Sequence, residues 1–186
     1  MCYSGIRLVL PERDWKRFYY GRKELNNEKM NTEEPNYIIR SMEITDYSRV
    51  KELWLSIKGF CIRSLDDSKD GVERFLNRNP GLSCVCELKG EIVGAILCGH
   101  DGRRGCLYHV CVRKENRMHG IGKAMVSFCM KGLQKEGINK VSLIAFSTND
   151  IGNAFWHEIG WTKREDLNYY DFVLNEKNIF TFNQIQ

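Results

Sequence analysis

Three apolar runs joined by two very short turns dominate the middle of this chain. "LSCVCEL" and "EIVGAILCGH" flank Lys89-Gly90, and "DGRRG" then leads into "CLYHVCV". Turns this short reverse the chain locally, so each run must lie antiparallel beside the one before it. The pattern then changes. After "NRMHGIG", the residues Ile121, Ala124, Met125, Phe128, Cys129 and Leu133 recur at helical spacing, Lys131 and Lys135 sit late, and Gly137 suits the C′ position. "KVSLIAF" follows as a run apolar enough for a buried strand. Strand, helix and strand in that order imply a parallel crossover.

Other segments extend this frame. "YIIRSME" predicts a first strand, and Thr45 is placed to N-cap a helix with Tyr47, Val50, Leu53, Trp54 and Ile57 on one face. A short helix is expected over "SKDGVERFLNRN", stopped by Asn79-Pro80-Gly81. A last helix is expected from Asp150 to Ile159 with Ile151, Ala154, Phe155 and Ile159 inward, and "LNYYDFVL" is expected to close the sheet. The fold class is α+β: a mixed sheet, antiparallel in its first half and parallel at the crossover in its second, with helices on both faces. Residues 37–175 read as the domain, 176–186 as a C-terminal tail, and the charge-rich residues 1–36 as a poorly ordered extension.

A chain of 186 residues can bury a real core without disulfide staples. Of its eight cysteines, Cys84, Cys86, Cys98, Cys106 and Cys111 fall inside strand-like runs, and neither they nor the four histidines show ligand spacing. Reduced thiols and no metal are expected. No apolar run approaches a membrane span, and "IRLVL" is too short for a signal-peptide core, so a soluble, cytoplasmic protein without membrane partners is expected. Net charge is only +4, which argues against a dedicated nucleic-acid binder. Residues 13–23 do mix Trp15, Phe18, Tyr19 and Tyr20 with Arg13, Lys16, Arg17 and Arg22, which leaves nucleic-acid binding as an alternative.

Gly120-Ile121-Gly122 is the local anomaly. A helix interior disfavours glycine by roughly 1 kcal/mol relative to alanine, so a pair at a helix start needs a reason. Between a strand and a helix N-terminus, unpaired N–H groups carry the positive end of the helix dipole, which suits phosphate. Glycine removes the Cβ atoms that would hold an oxygen away, and Arg117, His119 and Lys123 add positive charge. A Walker A loop fails here, because Arg117 stands where its first glycine would be and Ala124 replaces the hydroxyl. A dinucleotide fingerprint fails too, because the preceding strands are hairpins.

Arg117-x-x-Gly120-x-Gly122 follows "VCV" by a short linker, and "NDIGNAFWHEIGW" begins after the next strand. This combination resembles the GNAT family of acyl-CoA-dependent N-acyltransferases, with "GHDGRRG" closest to bacterial members of the YpeA type. The resemblance covers about residues 37 to 174. It implies that Val110, Cys111 and Val112 lie on the strand whose backbone pairs with pantetheine. It further implies that Arg117, Met118, His119, Gly120, Ile121, Gly122 and Lys123 hold the coenzyme A pyrophosphate, and that Asn149 and Trp156 belong to the helix flanking the pantetheine arm. The implied reaction moves an acetyl group from acetyl-CoA to a primary amine: a small molecule, a peptide N-terminus or a lysine. A homodimer and a non-catalytic acyl-CoA-binding module both stay open.

Amine acetylation needs a neutral nucleophile. With a pKa near 10.4, a lysine-like amine is almost fully protonated at pH 7, and deprotonation accounts for about 4 to 5 kcal/mol. A general base is therefore expected. The tyrosine acid of many GNAT enzymes is replaced by Trp156, and the glutamate base of ribosomal-protein acetyltransferases falls at Ile144 or Ala145. Tyr108 remains as the catalytic candidate, read on the same strand face as Val110 and Val112, with packing as its plainer role. His109 is expected to face the other way and pack. Asp66 and Asp67 read as a solvated turn on the side where the family shapes substrate access.

Overall fold

Period-two alternation and period-3.6 stripes resolve into seven strands and four α-helices among the described residues. They are β1 (Tyr37–Ser41), α1 (Tyr47–Leu55), β2 (Cys61–Arg63), α2 (Lys69–Arg78), β3 (Cys84–Leu88), β4 (Glu91–His100), β5 (Gly105–Val112), α3 (Ile121–Lys135), β6 (Val141–Leu143), α4 (Asp150–Glu158) and β7 (Phe180–Phe182). The structure is a computed structural model describing residues 37–183. The N-terminal extension, with its basic and aromatic residues 13–23, lies outside the described residues.

The described chain divides into two units, residues 147–167 and the remainder. In the larger unit a five-stranded sheet runs β1-β3-β4-β5-β6, antiparallel throughout until β6, which pairs parallel with β5 across the α3 crossover. Val50, Leu53 and Trp54 of α1 pack with Val85, Ala95, Leu97 and Cys111 on one sheet face. On the other face Cys84 Sγ lies 3.7 Å from Cys129 Sγ of α3, so the helices do flank both faces. Burying these side chains contributes on the order of 1.5–3 kcal/mol for each large one, which outweighs any single cap or surface pair.

One irregularity positions the site. Leu97 pairs with Tyr108 and Ala95 with Cys111, so two steps along β4 oppose three along β5. The extra residue is a β-bulge at His109 and Val110. It inverts the alternation. Cys111 shares the α1 face with Trp54, and Tyr108 joins it there, paired with Leu97 of the same cluster and edge-on to Phe75 of α2 at 5.8 Å. The expected common face of Tyr108, Val110 and Val112 is thus corrected, because a bulge re-phases every residue beyond it.

Four local expectations are also corrected. Thr45 does not cap α1; it lies inside a 3₁₀ turn, Ile44–Asp46, closed by Glu43 N–H donating to Asp46 Oδ2 at 3.0 Å. "KVSLIAF" supplies only three paired residues, and Ile144 is 64 % exposed. Its pairing with β5 stops at Leu107, just before the bulge, because the bent strand no longer offers a straight edge. No residue of α4 is buried, and Ile151, expected inward, is 71 % exposed. Residues 167–174 form no strand, with Tyr169, Tyr170, Phe172 and Leu174 exposed; three paired residues of β6 are a poor template. Instead β7 pairs antiparallel with β2, and Asn183 Nδ2 donates to Trp54 O at 2.6 Å, closing the end of α1.

Candidate functional site

β5 delivers Val110, Cys111 and Val112 to the start of the loop that ends at α3. Arg117 Nε donates to Val112 O at 3.0 Å, folding the loop back on the strand end. Met118 (φ 65°) and Gly120 (φ 77°) both take left-handed backbone, with Met118 and His119 exposed. At Gly120 that conformation would cost a residue with a side chain roughly 1–2 kcal/mol, while the space around it is open.

The start of α3 differs from its neighbours. Ser68 Oγ accepts from Gly71 N–H at the start of α2, and Asn149 Oδ1 accepts from Gly152 N–H at the start of α4. No side chain caps α3; its N-cap is Gly120. The first helical bond runs from Ala124 N–H to Gly120 O at 3.0 Å. The N–H groups of Ile121, Gly122 and Lys123 therefore have no intrahelical acceptor, and they carry the dipole's positive end. Arg117 in the loop and Lys123 in the first turn add positive charge beside it, with the His119 side chain exposed between them. This arrangement can receive an anionic group on backbone donors.

Cys111 is fully enclosed, and burial pushes its thiol up to about 12, so it stays protonated at neutral pH and offers no thiolate. Tyr108 is 47 % exposed; burial of its other half, then the Cys106 thiol beside it, raises its pKa above the ordinary tyrosine value. The phenol is a hydrogen-bond donor there, not a base. Asn149 and Trp156 lie in the 147–167 unit, where the Trp156 ring stands 4.9 Å from Phe155 and 5.0 Å from Trp161.

Sequence reasoning read His109 as a packing residue and Asp67 as part of a solvated turn, and did not pair them. His109, at the bulge, has φ 50° and a ring 4.8 Å from Trp54 and 5.1 Å from Phe60. Its Nε2 is 2.6 Å from Asp67 Oδ1. Asp67 is no solvated turn: it is 6 % exposed, and its Oδ2 accepts from Arg63 N–H at 2.6 Å. Asp66 does face open space, on a cavity of about 370 Å³ shared with Ser68, Asp70, Arg74 and Asn178. No pattern in the sequence joins residues 67 and 109; only the bulge brings them together.

Comparison with known proteins agrees with this architecture. The family model of the GNAT acetyltransferases matches residues 47–161. The chain belongs to this family and is an acetyl-CoA-dependent N-acetyltransferase. It is 31 % identical over 129 residues to an acetyltransferase of Sodalis glossinidius, covering 69 % of this chain and 89 % of that one. It is 36 % identical over 112 residues to an acetyltransferase of Pectobacterium atrosepticum, covering 60 % and 78 %. Among solved structures, the PaiA N-acetyltransferase of Thermoplasma acidophilum in complex with coenzyme A superposes with a TM-score of 0.63 at 19 % identity, over 72 % of this chain and 94 % of that one. The aminoglycoside acetyltransferase AAC(6')-Iy in complex with a coenzyme A bisubstrate analogue gives 0.59 at 16 %, over 75 % and 99 %. No described helix is long and apolar enough to cross a membrane.

Proposed function

We propose that the start of α3 takes the coenzyme A pyrophosphate on the N–H groups of Ile121, Gly122 and Lys123, with Arg117, Met118 and His119 of the loop around it. The observation that supports this is the cap: α2 and α4 satisfy their first turns with side chains, α1 continues from a 3₁₀ turn, and α3 starts at Gly120 with no side-chain cap. The pantetheine then lies along Val110–Val112. The resemblance also assigns Asn149 and Trp156 to coenzyme A. Tyr108 orients a water or the acceptor through its hydroxyl.

The acceptor is a primary amine that attacks the thioester directly. The buried Cys111 thiol supports this, because an acyl-cysteine route would need a thiolate that burial disfavours. The transfer forms the C–N bond, breaks the C–S bond and releases coenzyme A thiol. A screen of small-molecule amines, N-terminal peptides and lysine peptides, read by free thiol, identifies the acceptor class. Isothermal calorimetry with acetyl-CoA tests the donor site separately. Absence of acetyl-CoA binding by the folded protein overturns the site assignment.

A further inference from the structure

His109 is an unusual residue to find in a left-handed conformation in the middle of a central strand. The position costs on the order of 1 kcal/mol or more unless its surroundings hold it. They do: the rings of Trp54 and Phe60 pack against the imidazole, with centroids 4.8 and 5.1 Å away, and Asp67 Oδ1 meets Nε2 at 2.6 Å. Asp67 is itself fixed, because Oδ2 accepts the Arg63 N–H and its backbone carbonyl accepts the Tyr47 hydroxyl at 2.9 Å. A carboxylate with one oxygen committed to a backbone donor presents the other to the imidazole. Nε2 therefore carries the hydrogen and donates it to Oδ1, which leaves the Nδ1 lone pair as the ring's free basic site. No described residue donates to Nδ1. One-fifth of the side chain is open to solvent, so the ring is reachable.

We propose that His109 is the general base of the transfer and Asp67 its positioning residue. The inference rests on the reading of Val110–Val112 as the thioester strand, which His109 directly precedes. Nδ1 takes one proton from the acceptor ammonium, directly or through one water, giving an imidazolium paired with Asp67. The neutral amine attacks the thioester carbon. A second nitrogen proton passes to the departing thiolate, and the imidazolium returns its own proton to solvent. Ammonium and acetyl-CoA thus yield amide, coenzyme A thiol and one released proton. Asp67 is the one charged group in contact with the ring among the described residues; α1 and the turn before β2 contribute only Trp54 and Phe60. Cys61 lies in the field of Asp67 and stays a thiol, its pKa raised by burial.

His109→Gln keeps a donor toward Asp67 and removes the base. With spermidine, kanamycin, lysine methyl ester and an alanine-initiated hexapeptide as acceptors, kcat/KM at pH 7 should fall at least about 100-fold while the acetyl-CoA Kd stays within threefold. The pH profile separates the proposal from a packing role. The wild type should level off above the imidazole pKa, whereas the variant should rise about tenfold per pH unit towards the amine pKa. Asp67→Asn should lower kcat with little change in KM. Activity of His109→Gln within threefold of wild type, on a parallel pH profile, overturns the proposal. If that variant does not fold, ¹⁵N-imidazole spectra of the wild type decide: a hydrogen on Nε2 and a bare Nδ1 at neutral pH support it, and the opposite tautomer overturns it. A wild type that binds acetyl-CoA but acetylates none of the four amines overturns the base assignment and the thioester-strand reading together, whereas a loss confined to His109→Gln leaves that reading standing.

Discussion

The guanidinium of Arg40 grips both carboxylate oxygens of Asp46, at 2.7 and 2.8 Å, while Arg49 reaches the same carboxylate at 2.6 Å. Asp46 is almost fully enclosed, and its hydrogen bonds with Arg40 lead the causes that lower its pKa from 3.8 to about 2. A lowered carboxylate pKa gives stability that is full above the unfolded value and is lost as pH falls through the folded one. The shift corresponds to about 2 kcal/mol. Asp46→Asn should therefore cost about that much in urea unfolding at pH 7, with the gap from wild type closing between pH 4 and 2. A gap that persists unchanged at pH 2 would show that the charge is not its source.

Gly122→Val places a branched side chain against the proposed pyrophosphate. Acetyl-CoA binding should weaken at least tenfold, about 1.4 kcal/mol, with the fold intact. Calorimetry showing an unchanged affinity would remove the start of α3 from the site.

Asn79 and Gly99 should prove coupled. The buried Asn79 amide donates to Phe75 O at 3.1 Å and accepts from His100 N–H at 2.9 Å, and a Cβ at Gly99 would fall 2.6 Å from its Cγ. Asn79→Ala should cost about 2 kcal/mol by leaving a part-buried N–H unpaired. Gly99→Ala should be costly alone and cheaper by at least 1 kcal/mol in the Asn79→Ala background, read from a double-mutant cycle. Simple additivity would mean that Asn79 moves aside freely.

By the resemblance, Trp156 falls at the position of the acidic tyrosine of many GNAT enzymes, and its indole offers no usable acid. A coenzyme A thiol has a pKa near 8.5, like cysteine, so water can protonate the leaving group at neutral pH. Trp156→Phe should keep kcat within a few fold and lose mainly acetyl-CoA affinity. A hundredfold drop in kcat at saturating acetyl-CoA would place the indole N–H in the chemistry.

The meander of β3, β4 and β5, the α3 stripe and the end of α2 at Asn79-Pro80-Gly81 were readable because each is a local rule: a short turn, a period, a breaker. Gly120 was readable for the same reason. The short β6, the irregular 167–174 segment and the pairing of β7 with β2 were not, because strand partners depend on which edges the rest of the fold leaves free. The existence of α4 was readable too, from the same helical period. The buried Asp67 was the largest omission. A loop aspartate looks solvated until a distant histidine is turned towards it.

That turning comes from one surplus amino acid in β5. Leu107 and Cys111 are four apart, an even number that should place them on one side, yet they line opposite sides of the sheet. The strand therefore reads in two frames, like a text with a single inserted letter. Removing His109 would merge the frames and give a strand no less apolar than before. Its second half, however, would be printed on the wrong page. What this stretch specifies is as much a count as a set of side chains.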